Sequence, residues 1–422
     1  MMCMMSCDQI VFPDIIMSTI MHLIELLHKT FEDKLPQVHK IRLKSLMTAC
    51  KTAISSNKLS LTGIGRAISN TNKECSNIQK VDRLLGNGHL QSERKSFYQV
   101  MTSNLIQAHD TPWIHIDWTC INSVTNLYAL RASLSMHGRS FVIYEECHPK
   151  EKENNHTIHK AFLNQLKALL PHSARPIIVT DAGFRSPWFA YIIKLGWDFV
   201  GRLRHKNALY MEDTQQWTLS SDYFEQATPT PSYIGDGLLT HDGKVPVKLV
   251  LYKGKSKGRH LINRYKKRSH CGMSNRHSSA AKEPWVLVTS INKAKLNPVL
   301  IVNIYRQRMR IEENIRDTKC PQYGLGLKKS LTQSYQRMSI LLLIAAIATF
   351  AAWLAGLFTK SIGKAADFQA QSAKFTSALS YVFLGRRVLK KGLAITQEQF
   401  ENALNMLCQC PIQAQQENPH YG

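Results

Sequence analysis

The chain has 422 residues, 44% apolar and 20% charged, the balance of a folded protein with room for a large core domain and one or two smaller modules. Lys and Arg outnumber Asp and Glu by 54 to 30, and the resulting +24 points to a polyanionic partner, either nucleic acid or an anionic membrane surface. The ten cysteines form no C-x-x-C pair and no zinc-ligand spacing, which excludes a disulfide scaffold and favours reduced thiols in a cytosolic protein.

The amino terminus holds Asp8 and Asp14 among apolar residues and has no basic n-region, so it is a poor signal peptide. Residues 21 to about 110 read as short helices: Leu23 to Phe31, Ile41 to Ser55, and Leu90 onward. Between residues 40 and 100 there are eleven Lys/Arg against three Asp/Glu, which suits an all-α module facing DNA. GIGRAIS (Gly63 to Ser69) sets a turn glycine before a short helix, compatible with a helix-turn-helix-like element.

From residue 111 the period changes. PWIHIDWT (Pro112 to Thr119) alternates as a strand ending near Asp117, and LYALRASLSM (Leu127 to Met136) with RSFVIYEECH (Arg139 to His148) makes a hairpin about His137-Gly138. A helix from about Asn155 to Leu170 follows, then the apolar strand PIIVT (Pro176 to Thr180), which delivers Asp181. Ser186 and Pro187 are the expected N-cap and first-turn residues of the next helix, and GWDFVGRL (Gly196 to Leu203) is a fifth strand.

The 131 positions from Asp181 to Glu312 exceed what one crossover requires, so an insertion is expected, with strands such as VPVKLVLYKG (Val245 to Gly254). Residues 253 to 282 hold ten Lys/Arg and no Asp/Glu, a basic loop or a groove wall that tracks phosphates. His270, Cys271 and His277 belong to that polar stretch and read as loop residues rather than metal ligands. EPWVLVTSI (Glu283 to Ile291) closes the insertion, and Trp285 reads as a core aromatic at the start of a strand.

The stretch Ile304 to Lys319, IYRQRMRIEENIRDTK, organises the rest. As one helix it places Tyr305, Arg308, Glu312 and Lys319 in a single row, with Glu313 about 100° away and Ile304, Ile311 and Ile315 as the packing stripe. A carboxylate among Arg, Lys and Tyr suits a site that holds a divalent metal and grips phosphates; a solvated face of i,i+4 ion pairs is the plainer alternative. Met338 to Phe358 is apolar for about 20 residues, long enough to span a bilayer and equally suited to the core of a large domain; burial is the expectation. Residues 361 to 410 read as further helices and PIQAQQENPHYG as a loose tail.

The spacing Y-x2-R-x3-E-x6-K, together with Asp117, Asp181 and IQKVDRLLGNGHL (Ile78 to Leu90), resembles the DDE transposases encoded by bacterial insertion sequences of the IS-four family. The resemblance implies an α/β fold: a ribonuclease-H-like mixed five-stranded sheet with helices on both faces, a β-rich insertion and an all-α N-terminal DNA-binding domain. It divides the chain into a disordered upstream extension (1–20), the DNA-binding domain (21–110), the catalytic core (111–204 and 286–360), the insertion (205–285) and a helical C-terminal region (361–422). Asp117, Asp181 and Glu312 would be the metal-binding catalytic carboxylates for two Mg²⁺, with Mn²⁺ as a substitute. Tyr305, Arg308, Arg316 and Lys319 would hold DNA phosphates, and Trp285 would stack on a base flipped from the duplex. The implied activity is cut-and-paste transposition by a homodimer on double-stranded DNA, at transposon ends and target, in the cytoplasm at the nucleoid, with no membrane and no small-molecule substrate. A catalytically inactive DNA-binding regulator of the same descent is the alternative.

Overall fold

The computed structural model describes residues 13–106, 111–122, 124–204, 207–254, 283–370, 379–391 and 395–417, with 267, 269, 271 and 272. The amino-terminal part is five helices, α1 (Pro13–Lys34), α2 (Lys40–Ser56), α3 (Leu61–Ala67), α4 (Glu74–Leu85) and α5 (Gly88–Ser103). Of the expected extension, residues 1–12 lie outside the described residues, whereas 13–20 are the first turns of α1 and not disordered chain. Pro13 suits that start because the first-turn N–H groups make no intrahelical bond, so the N–H that proline lacks is not missed. Ser60 and Asn87 cap α3 and α5, accepting from the N–H groups of Gly63 at 3.2 Å and Leu90 at 2.9 Å. Gly65 lets α3 lie on α4, since a Cβ there would stand 2.7 Å from the Ile78 Cα.

Period-two patterning then yields β1 (Trp113–Asn122), β2 (Leu127–Met136) and β3 (Arg139–Pro149), an antiparallel meander. Helix α6 (His156–Leu169), strand β4 (Ile177–Thr180), helix α7 (Ser186–Lys194) and strand β5 (Asp198–Leu203) follow. The N-cap of α7 is Arg185, without a side-chain bond, so Ser186 is the first helical residue and not the cap. Strand β4 is parallel to both β1 and β5, giving the order β3-β2-β1-β4-β5, which fits the ribonuclease-H-like arrangement.

The sheet does not stop at five strands. β6 (Ala208–Met211), β7 (Gln216–Leu219), β8 (Ser232–Leu239), β9 (Val245–Tyr252) and β10 (Trp285–Thr289) extend it to ten in the order β10-β9-β8-β6-β7. The insertion is therefore a continuation of the sheet. β10 runs antiparallel to β5 and satisfies an edge whose backbone groups would otherwise be open to pairing with another chain. Most of the basic stretch, including His270 and His277, lies outside the described residues; Cys271 is exposed.

The expected single helix of Ile304 to Lys319 is two, α8 (Pro298–Arg306) and α9 (Met309–Lys319). At Gln307 and Arg308 the backbone tightens to i→i+3 bonds, with Arg308 N–H to Tyr305 O at 3.0 Å and Arg310 N–H to Gln307 O at 2.9 Å. The buried Gln307 side chain holds the break, accepting from the Ser135 hydroxyl and donating to Ala414 O at 2.6 Å. Helices cover both faces of the sheet: Ile178 and Phe199 belong to the apolar core that includes α6 and α7, while Val179 and Val200 pack with Ile301 and Ile304 of α8.

The remaining helices are α10 (Tyr335–Ser361), α11 (Tyr381–Lys391) and α12 (Gln397–Gln416). By length and composition α10 could cross a membrane, but its apolar window is 94% buried inside the protein, with Phe350 against Phe141 of β3 and Trp353 against Tyr381. Residues 411–416, expected as a loose tail, are the last turns of α12, tied by Gln415 Nε2 to Thr111 O at 2.9 Å. Helices α10 and α11 cross at Gly356 and Gly385, where a Cβ on Gly385 would lie 1.8 Å from Ala352 O. Gly385→Ala is therefore expected to lower the unfolding free energy by about 1–3 kcal/mol; urea denaturation measures it, and unchanged stability would show that this crossing can relax.

Candidate active site

Strand alternation decides which way β1 points its side chains. The Trp118 indole N–H reaches His159 Nε2 of α6 at 2.8 Å on one face, so His115 and Asp117 turn to the other, toward α8 and α9. The parallel register pairs Ile116 with Thr180. Asp117 and Asp181 are each one residue further on: Asp117 lies midway along β1, which runs on to Asn122 rather than ending near Asp117 as expected, and Asp181 lies just past the end of β4. Asp181 opens the turn after β4, its Oδ1 accepting from the Gly183 N–H at 2.8 Å. Glu312 comes from the first turn of α9, exposed, with Arg308 Nη2 donating to its Oε1 at 2.9 Å. Glu313 points elsewhere and receives Arg139 Nη1 at 2.6 Å.

The three carboxylates feel one another. Burial pushes the Asp117 carboxyl up to about 7, the negative charge of Asp181 adds to that, Arg308 opposes it, and Glu312 adds again. Burial works against the charge on Arg308 but is outweighed by Tyr305, Glu312, Asp117 and Asp181, which hold the guanidinium above its usual range. Among the described residues no three His, Cys, Asp or Glu side chains stand close enough to ligate one ion; Glu312 is drawn to Arg308 instead. The donor set is nonetheless oxygen only, with a surplus of negative charge at Asp117, which is the chemistry that Mg²⁺ and Mn²⁺ take.

The other expected site residues divide. Tyr305, buried on α8, meets the ring of Trp285 edge-on at 4.9 Å, and Trp285 also packs against Tyr252 with the Arg202 guanidinium 6.0 Å from its ring. Arg308 stands at the head of α9 beside the carboxylates, and Arg316 is exposed further along. Lys319 is at the opposite end of α9, where its ammonium donates to Cys120 O at 2.6 Å. Because the helix breaks at Gln307, Tyr305 does not share one helical row with Glu312 and Lys319. Beside Asp181 an open cleft of about 630 Å³ is bordered by Arg185, Arg204, Asn207 and Thr240.

Sequence reasoning missed two groups on this face. His115 is fully buried with no partner for either ring nitrogen among the described residues, and burial, with Arg310 and Arg308 nearby, lowers its pKa to about 3. Arg131, the cross-strand partner of Asp117, is buried too; a lone arginine within the apolar run LYALRASLSM was its signal.

The folded pKa of Asp117 lies above the ordinary carboxylate value, so the folded chain retains a proton that the unfolded chain has lost, and stability falls as pH rises toward about 7. Without divalent cations Asp117→Asn should therefore melt above the wild type at pH 8. The difference should shrink toward pH 4, by at most roughly 1.4 kcal/mol per pH unit. Equal melting temperatures at pH 8 would contradict the crowding of charge.

A family model described as a transposase DDE domain matches residues 107–350, more than half of the chain. Asp117, Asp181 and Glu312 all fall within that span. No curated protein matches the chain.

Proposed function

The chain belongs to the transposase DDE-domain family, and on that premise we propose that it is the cut-and-paste transposase of an insertion sequence. Its spacing Y-x2-R-x3-E-x6-K resembles that of the IS-four type, and in this reading the chain is similar to the transposase of the insertion sequence flanking the tetracycline-resistance transposon Tn-ten. Arg316 is a departure, since some relatives carry Lys there, and a guanidinium changes the geometry of a phosphate grip. The observation that carries the proposal is the parallel β1–β4 register, which sets Asp117 beside Asp181 on the sheet face where the first turn of α9 carries Glu312.

Asp117, Asp181 and Glu312 would hold two Mg²⁺ ions, or Mn²⁺ in their place, which supply an activated water and stabilise the leaving oxygen at phosphorus. In the proposed sequence water first attacks the phosphodiester at the transposon end and frees a 3′-OH. That hydroxyl attacks the opposite strand to form a hairpin, water reopens it, and the 3′-OH joins target DNA. Arg308 sits where it can neutralise a phosphate oxygen beside the carboxylates. Arg316 and Lys319 extend that basic edge, Lys319 keeping two donors beyond the one given to Cys120 O. Tyr305 backs Trp285 at 4.9 Å, and Trp285 would stack on the flipped base, a contact of about 1–3 kcal/mol.

Helices α1 to α5 would bind the terminal inverted repeats and the basic segment 253–282 would follow phosphates. The active form would be a homodimer pairing two ends, in the cytoplasm at the nucleoid, and burial of α10 agrees with a protein that works without a membrane.

Glu312→Ala is expected to abolish cleavage of transposon-end DNA in Mg²⁺ while end binding in a gel-shift assay stays near wild type; normal cleavage would remove Glu312 from the site. Trp285→Ala should still nick the end but form or resolve hairpins roughly 5- to 150-fold more slowly, given the stacking energy involved. An unchanged hairpin yield on a denaturing gel would return Trp285 to a packing role.

A further inference from the structure

Arg131 is a full charge inside the sheet, 1% exposed, between Ala129 and Leu134 on a strand with no need of it. Such a charge is costly to bury and an apolar residue of similar volume is often as stable, so its presence calls for a use. Two of its nitrogens go to Glu145 of β3, equally buried: Nε to Oε2 at 2.8 Å and Nη2 to Oε2 at 2.7 Å. Glu145 is in turn held by α5, with the Tyr98 hydroxyl donating to Oε1 at 3.2 Å and Arg94 Nη1 to its backbone carbonyl at 3.0 Å.

The remaining arm leaves the sheet. Arg131 Nη1 donates to Asn314 Oδ1 of α9 at 2.8 Å, and Asn314 Nδ2 donates to Ser140 O at 3.1 Å. Both ends of the Asn314 amide are thus fixed to adjacent strands. Helix α9 needs such a fixture. It has eleven residues, no side-chain cap and a break before it, and of its four buried side chains only Ile311 and Ile315 are apolar. A thin apolar stripe leaves the rotation of a short helix loosely set, and Glu312 lies two residues from Asn314. The same Arg131 stands directly across from Asp117 in the β1–β2 register.

We propose that Arg131, acting through Asn314, sets the seating of α9 on the sheet and so aims Glu312 toward Asp117, making Arg131 and Asn314 positioning residues for the third carboxylate. This rests on the transposase reading above. Neither residue touches DNA or a cation; they determine whether the carboxylates can meet.

The test uses the full chain. Asn314→Leu keeps the Arg131–Glu145 pair and the branched side-chain shape but removes the acceptor, while Asn314→Asp retains an acceptor for Arg131 and gives up only the donor to Ser140 O. Melting temperature, Mn²⁺ affinity by calorimetry without DNA, and end cleavage are measured for each. Asn314→Leu is expected to bind Mn²⁺ about tenfold or more weakly and to cleave about 100-fold more slowly, with end binding unchanged and Asn314→Asp recovering most of both losses, the scale seen when partners behind metal ligands are removed. Arg131→Lys, which preserves the charge opposite Glu145 but not the reach to Asn314, should show the same pattern. If the variants lose melting temperature but keep wild-type Mn²⁺ affinity and cleavage, the role is structural only and the proposal is overturned. A wild-type chain that neither binds Mn²⁺ nor cleaves overturns the functional reading and this inference with it, whereas an active wild type with indifferent variants overturns this inference alone.

Discussion

The parallel pairing of β1 with β4 is the constraint from which the site follows. Four register pairs, from Trp113 opposite Ile177 to Ile116 opposite Thr180, bring two aspartates 64 positions apart side by side, one midway along β1 and one just past the end of β4. Two carboxylates so placed repel, and burial makes the repulsion harder to screen. The fold tolerates this because Arg308, at the head of the helix carrying the third carboxylate, bonds Glu312 at 2.9 Å and its charge also acts on Asp117 and Asp181. A cluster of like charges with one cation attending it is a poor way to stabilise a protein and a good way to receive divalent ions and phosphate.

Around that pairing the chain builds support of two kinds. Apolar support comes from α10, whose buried length joins the amino-terminal helices, the β3 edge and α11 in one continuous core. The three sequence-distant parts of the chain are therefore packed together. Polar support comes from side chains that fasten α9: Arg131 and Ser140 to Asn314, and Arg139 to Glu313 and Asp317. The apolar layer fixes which elements are neighbours, and the polar contacts fix the angle at which α9 lies.

What could be read from the sequence was whatever depends on local period. The β2 limits, Leu127 and Met136, follow from alternation between turn residues, and Asp181 was legible as the residue that follows an apolar strand, whereas the strand expected to end near Asp117 runs on to Asn122. The break at Gln307 was not legible, because its cause lies in Ser135 and Ala414, remote in sequence and met only through packing. The tenfold sheet was missed for a related reason: strands of the insertion were recognised, but nothing in an alternating run states which edge it will join. Pro411 marked a chain break by local rules, yet α12 continues through it under contacts with β2 and Thr111. Local chemistry thus singled out the acids as candidates, while tertiary contacts decided how the helix bearing Glu312 approaches them.

The most direct test of convergence replaces the divalent cation with Fe²⁺ and, with ascorbate and peroxide, lets hydroxyl radicals cut the backbone beside the bound ion. If Asp117, Asp181 and Glu312 share an ion, cuts will cluster near all three positions and vanish in excess Mg²⁺. Cuts at one of these positions alone, or at sites unrelated to them, would contradict the shared site on which the proposed chemistry stands.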